Sequence, residues 1–440
     1  MKIHYQILVL SLVLFCISCN VKESKLEEKQ EKEQKDFPFL IPAEKPNRPL
    51  SAAVTRGYDT YGTMRPEQNE LYTQFKYTKL KGFDYNGGDG TISRRDPSKV
   101  IFENGKYYVW YTHRKSPVPV GMANAKEATD VIPSADWDLA DIYYATSEDG
   151  FTWEEQGVAV PRPPKPQPGW RSVTTTDILK WKGKYYLYFQ AFMEASGLRG
   201  DFCPVSVAWA NSPDGPWTHT GKLVIPNGAE GTWDQYQIHD PYPLIHDGNI
   251  YIYYKAGFDK REEFTPSKVL MQGLAIAEDP LGPFTKHPLN PLINSGHETT
   301  LFPFKEGVAA IIQRNGHEHN TIQYAKDWVN FEVASHVELL PLAAGPYVPD
   351  AFTDTKDGRG ITWGISHFIK EGPDKTKNNL SILTRFDCDL SLDLNDPGMK
   401  EHYTLYGSEL HYKQGLNKTQ KQRIKEANDK LLNKSKKVKK

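Results

Sequence analysis

Five times along this chain an acidic residue stands at the head of a strand-like stretch: Asp96 before PSKVIFENGKYYVWYT, Asp177 before ILKWKGKYYLYFQ, Asp240 before PYPLIHDGNIYIYYK, Glu298 before TTLFPFKEGVAAIIQ and Asp350 before AFTDTKDGRGITWG. Each stretch reads as acid, strand, glycine-containing turn, strand. The intervals of 81, 63, 58 and 52 residues are too uneven for a solenoid and suit the units of a propeller. Four units have an echo further on, IYYATSEDGFTWEEQG at 142–157, VAWANSPDGPWTHTGK at 207–222, LAIAEDPLGPFTKHP at 274–288 and IQYAKDWVNFEVAS at 322–335, where a strand ends in a polar turn and an aromatic residue opens the next strand. The Asp-Gly pairs at 149–150 and 214–215 supply the positive φ that tight hairpins need. Four strands per unit and five units predict an all-β fold, a five-bladed β-propeller over residues 91–395. The five acids would then sit at the heads of the innermost strands, around one central pocket.

The two ends of the chain read differently. Lys2 precedes an apolar run at 7–17 that is too short to span a bilayer and fits the core of a secretory signal. Cys16-Ile17-Ser18-Cys19 is similar to a bacterial lipoprotein cleavage box, with Cys in the place of the usual first Leu. Residues 1–18 are therefore expected to be a signal peptide and Cys19 the acylated mature N-terminus. The charged run VKESKLEEKQEKEQKD and the proline-rich 38–49 make residues 19–49 a tether, since neither can bury enough apolar surface to fold. The expected location is the cell envelope, lipid-anchored and facing the periplasm or the cell surface, with a secreted or periplasmic form as the alternative. Residues 50–80 lack strand alternation through Tyr77, and Ser51 can cap a helix that Gly62 and Pro66 interrupt, so two short helices around a turn are expected. Such a hairpin needs another surface to cover it, which points to a dimer element. Residues 396–440 form a C-terminal extension whose basic tail reads as a solvated helix.

Lys and Arg number 54 against 55 Asp and Glu, so no global field draws this chain to nucleic acid or an anionic membrane. Once Cys16 is removed and Cys19 acylated, Cys203 and Cys388 are left as buried free thiols, with no metal-type spacing. Aromatics at 12% of the chain suit stacking on sugars and equally a large β core, and so do not decide between them.

An Asp before a strand commonly makes a turn bond, but here the acids recur with partners. Arg94 and Arg95 precede Asp96, His239 precedes Asp240, and His297 precedes Glu298, whereas Asp350 in VPDAFTD has no such partner and reads as blade architecture. Carboxylates gathered in one pocket suit hydrolysis between sugars, in which one group activates water and another protonates the leaving oxygen. The insertion at 113–141, which contains Trp137, would shape the rim.

SAAVTRGYDTYG at 51–62, TISRRDPSKVI at 91–101, IHDPYPL at 238–244 and GHETTLFPF at 296–304 resemble glycoside hydrolase family 117, the 3,6-anhydro-α-L-galactosidases. Similarity to the wider five-bladed glycosidases, arabinanases and β-xylosidases among them, is looser. The resemblance implies exo-acting, inverting release of 3,6-anhydro-L-galactose from the non-reducing end of neoagaro-oligosaccharides. Asp96 matches the general base, Asp240 a supporting acid, His297 a histidine general acid and Glu298 the carboxylate beside it, which would raise the histidine pKa. Glu298 as the acid is the alternative. Arg95, His239, Gln190 and Trp137 are candidate sugar-binding residues. The resemblance also implies one hydrated divalent cation (Mg, Ca or Zn) near the axis, with Asp177 as its candidate contact, no organic cofactor, and a homodimer through swapped N-terminal helices. Other readings are a related propeller glycosidase of arabinofuranosidase or xylosidase type, and a non-catalytic glycan-binding propeller.

Overall fold

The glycine-containing turns form hairpins throughout, and the chain builds antiparallel sheets from them. The computed structural model describes residues 45–59, 71–119, 125–198, 202–230, 232–235, 237–257, 270–316, 318–371, 379–400 and Gln422. The expected signal peptide, Cys19, most of the tether and most of the C-terminal extension lie outside these residues. No helix among the described residues is long and apolar enough to cross a membrane.

The first sheet holds Ile92–Arg95, Lys106–Lys115, Asp141–Ser147 and Glu154–Val160, with Ile101–Glu103 added beside Lys106–Lys115. The second holds Ser172–Trp181, Lys184–Phe192, Val205–Ala210 and Thr218–Ile225, and the third His239–His246, Asn249–Ala256, Met271–Ala277 and Thr285–Lys286. In the remaining eight-stranded sheet, Thr300–Lys305, Gly307–Ile312, Thr321–Ala325 and Glu332–His336 are joined to Gly358–Glu371, Asn379–Ser391, Lys76–Lys79 and Gly345–Pro346. The join is short, Phe304 opposite Arg359 and Lys305 opposite Gly358.

Central strands are apolar on both faces because both faces are covered. In Lys184–Phe192 every residue after the first is buried. One core cluster packs Tyr108, Trp110 and Ile142 of the first sheet on Ile178, Leu187 and Phe189 of the second. The next packs Tyr188 and Val205 on Ile250 and Ile252 of the third, and another joins Leu244 and Tyr253 to Phe302 and Ala309. Finally Val109 and Tyr111 of the first sheet meet Trp363, Ile365 and Leu383 of the last. The sheets therefore close a ring of propeller type.

Of the expected pair of helices the first is present, and residues 60–70, where the second would fall, lie outside the described residues. Helix α1 (Ala52–Asp59) forms, and Ser51 Oγ lies 3.4 Å from Val54 N at its start. Lys76–Lys79, expected as helix, is instead a strand, with Tyr77 opposite Phe386. KYTK is too short and polar to show alternation, and its conformation is set by the partner strand. The short helix α2 (Pro397–Lys400) is tied down by Gln74 N donating to Met399 O at 2.7 Å.

Candidate active site

Four residues at or near the heads of the innermost strands are in the left-handed region: Asp96 (φ 49) just after Ile92–Arg95, Thr175 (φ 44) within Ser172–Trp181, Asp240 (φ 50) second in His239–His246 and Glu298 (φ 61) just before Thr300–Lys305. A fifth, Ala343 (φ 44), precedes Gly345–Pro346. Non-glycine residues hold this conformation at a cost of about 1–3 kcal/mol each and cluster at functional sites. All five line one pocket, together with Pro97, Thr176, Asp177, Pro241, Tyr242, Thr299, Thr300 and Ala344. The spacing of the acids suggests Asp177 and Asp350 for this ring, with Asp350 read as blade architecture for want of a partner. Asp177 lies in the pocket two residues beyond the head position, which belongs to Thr175. Asp350 is absent from the lining and accepts from Arg359 N at 2.7 Å, while the fifth head position falls to Ala343.

Asp96 is buried. Its Oδ2 accepts from Arg95 Nε at 2.8 Å and Thr175 Oγ1 at 3.1 Å, and its Oδ1 is 3.5 Å from His367 Nδ1. Asp96 N donates to the same His367 nitrogen at 3.3 Å. Burial first, then Arg95, brings the His367 pKa down to about 4, so this imidazole is neutral. Arg95 also lies 3.5 Å from Glu298 Oε1 and 3.9 Å from Asp136 Oδ2. Trp137 stacks over its guanidinium at 4.8 Å. The insertion thus uses Asp136 and Trp137 to hold Arg95 against the base candidate.

Asp240 pairs with Lys255 Nζ at 2.8 Å, and its backbone N donates to Gln190 Oε1 at 3.1 Å. Gln190, a candidate sugar ligand, is buried and holds the Asp240 backbone in place. His239, the other candidate beside it, is buried against Phe192 and does not line the pocket.

Glu298 Oε2 accepts from Arg314 Nη2 at 2.8 Å. Burial would raise its pKa, but Arg314, His297, His367 and Arg95 together hold it well below the usual carboxylate range. His297 Nε2 is 3.9 Å from Glu298 Oε1, and His297 Nδ1 donates to Asn315 Oδ1 at 3.1 Å. This bond places the neutral ring's proton on Nδ1 and leaves Nε2 free to gain another. The expected upward shift of His297 runs the other way. Burial, then Lys255, and also Arg314 outweigh Glu298 and lower its pKa well below 6.5.

Asp177 Oδ1 accepts from Lys99 N at 2.7 Å and Ile178 N at 2.9 Å, and Lys99 Nζ contacts the other oxygen. That ammonium also donates to Pro243 O at 2.9 Å and lies 3.8 Å from the Tyr242 ring centre. Burial lowers the Lys99 pKa to about 8 and raises that of Asp177.

Residues 91–267 match the family model for glycosyl hydrolases family 43. Zg3597, a family 117 glycoside hydrolase produced by the marine bacterium Zobellia galactanivorans, is 60% identical, with 80% of this chain covering 100% of that one at a TM-score of 0.73. The chain belongs to glycoside hydrolase family 117. A more distant solved structure, a complex of BT0996 and RGII, is 12% identical with a TM-score of 0.51 over 72% of this protein and 92% of that one, and shows a shared fold alone. No curated protein matches the sequence.

In this family 117 pocket each acid carries its own cation: Asp96 with Arg95, Asp177 with Lys99, Asp240 with Lys255 and Glu298 with Arg314. Lys99, Lys255, Arg314, Asn315 and His367 join the site only through the fold, with no motif in the sequence to mark them. In the pocket, ligand-type atoms of Asp96, Glu298 and His367 lie within 4.8 Å of one another, with Arg95 bridging the two acids. These residues do not fit a directly coordinated divalent cation, because such an ion would have to displace a buried partner.

Proposed function

We propose that the protein is an exo-acting, inverting glycosidase that cleaves the α-1,3 bond at the non-reducing end of neoagaro-oligosaccharides, releasing 3,6-anhydro-L-galactose. The observation that carries this reading is the meeting of Asp96, Asp240 and Glu298 in one pocket, with His297 against Glu298, in a family 117 chain whose motifs resemble the anhydrogalactosidases.

Asp96 is the general base. Its Oδ2 is occupied by Arg95 and Thr175, so Oδ1 takes the proton of the water that attacks the anomeric carbon. His297 is the general acid. Asn315 holds Nδ1, and the proton on Nε2 passes to the glycosidic oxygen as the bond to the anomeric carbon breaks. Glu298 is unsuited to that task because its cationic neighbours keep it ionised. Glu298 instead favours the protonated form of His297, while Asp240 with Lys255 supports the sugar.

The eight-stranded sheet counts as two blades, split at the short join between Phe304 and Arg359, which makes five blades with the other three sheets. The protein is attached to the cell envelope through lipidated Cys19 and acts as a homodimer through its N-terminal helical segment, as its leader-like sequence and family resemblance support. Incubation of purified protein with neoagarobiose, with free anhydrogalactose quantified, tests the activity. No release across about pH 4–8, a window carried to the acid side of the ordinary histidine range because the His297 pKa is lowered, would leave a related glycosidase with a different sugar preference.

A further inference from the structure

The SAAVTR stretch lines no part of the pocket, yet it is tied to both segments that hold the His297–Glu298 pair. Ser51 Oγ donates to Pro291 O, and Asn294 Nδ2 donates to Ala53 O, each at 2.8 Å. Arg56 is buried and lays its guanidinium fork on Glu318, with Nε to Oε1 and Nη2 to Oε2 both at 2.9 Å. Its Nη1 donates to Phe331 O at 2.7 Å and Glu332 Oε2 at 2.8 Å.

Glu318 follows the turn that carries Arg314 and Asn315. Its N donates to Ser295 Oγ at 2.9 Å, and Ser295 Oγ donates to Asn294 Oδ1 at 2.9 Å. Gly296 N donates to Asn315 O and His297 N to Gln313 O, both at 2.7 Å. The turn has little slack. Arg314 (φ 45) and Asn315 (φ 53) are left-handed, and Gly316 (φ 105) lies so close to Ser295 that a Cβ there would sit 2.3 Å from its Oγ. A shift of Glu318 is therefore passed through Ser295 to Gly296 and the 313–316 turn rather than absorbed. At its far end are the contacts from Asn315 to His297 and from Arg314 to Glu298.

We propose that Arg56 is a positioning residue, which through its two-point pair with Glu318, and by way of Ser295, sets the 313–316 turn and with it the orientation of the His297–Glu298 pair. The fork fixes angle as well as distance, which an ammonium at the same place does not. The proposal rests on the glycosidase reading of the site. A simple staple of α1 to the sheets would need the same contacts, and Glu332 separates the two. It pairs with the same guanidinium but is 59% exposed and belongs to strand Glu332–His336, apart from the turn.

The test follows the ring titration of His297 by NMR in the full-length protein, with kcat and KM on neoagarobiose, for the wild type, Arg56→Lys, Glu318→Gln and Glu332→Gln. Arg56→Lys and Glu318→Gln are expected to move the titration midpoint by about half a pH unit or more and to lower kcat about tenfold with KM little changed. Glu332→Gln should leave both as in the wild type. An unmoved midpoint in folded Arg56→Lys and Glu318→Gln, or an equal shift in Glu332→Gln, overturns the proposal. If Arg56→Lys does not fold, Glu318→Gln decides by the same criteria. The titration needs no substrate, so a wild type inactive on neoagarobiose refutes the sugar assignment while the midpoints still decide the positioning role.

Discussion

Arg314 Nη2 lies 2.8 Å from Glu298 Oε2, an ion pair in which the carboxylate is buried and the guanidinium keeps about a third of its surface in water. The pair holds the folded-state pKa of Glu298 well below its ordinary 4.5, so its contribution to stability is present above about pH 4.5 and is lost as pH falls through the lowered value. Arg314→Gln should destabilise the protein by about 1–3 kcal/mol at pH 7, discounted for the exposure of Arg314. Urea unfolding measures this, and the gap between variant and wild type should narrow as the solution is made acid. A gap that is constant with pH would show that the pair does not act through Glu298 ionisation.

Lys99 and Asp177 are a buried pair rather than a catalytic one. Lys99→Met strands the carboxylate and should cost about 3–5 kcal/mol. Adding Asp177→Asn removes the stranded charge, so the double variant should be more stable than Lys99→Met alone. Independent, additive losses in denaturant unfolding would argue against direct coupling.

The His297 site sets the pH dependence of turnover. A proton donor is active only below its pKa, and burial with Lys255 puts that of His297 well below 6.5 while the ring stays about a third exposed and able to titrate. The kcat/KM profile should therefore fall on a limb whose midpoint lies below pH 6.5, and Lys255→Met should move this limb upward. A falling limb above pH 7 in the wild type would contradict the assigned environment.

Much of the ring was legible in the sequence because Asp96, Asp240 and Glu298 stand before strands whose turns are marked by glycine. Asp177 also faces the pocket, but the left-handed position beside it is Thr175, which no local pattern distinguishes from its threonine neighbours. Ala343 was missed for the same reason: a head position without a functional side chain leaves no mark, and Asp350 stood at a similar interval. The cationic partners were hidden because pairing between strands brings them in. Lys255 lies opposite His239 near the end of its strand, and Arg314 lies in a turn, so neither is adjacent in sequence to the acid it holds. The direction of the His297 shift also escaped, since its neighbour Glu298 is visible in sequence and Lys255 is not.

In the proposed mechanism His297, and not Glu298, is the proton donor, with Asp96 as base. A donor matters less when the leaving group departs without a proton, so the most direct measurement compares turnover of neoagarobiose with that of a nitrophenyl α-3,6-anhydro-L-galactoside. His297→Ala should lose about 10²–10⁴-fold on neoagarobiose and stay within about tenfold of wild type on the nitrophenyl substrate, while Asp96→Asn loses turnover on both. Recovery on the nitrophenyl substrate by Glu298→Gln, with His297→Ala impaired equally on both, would contradict it.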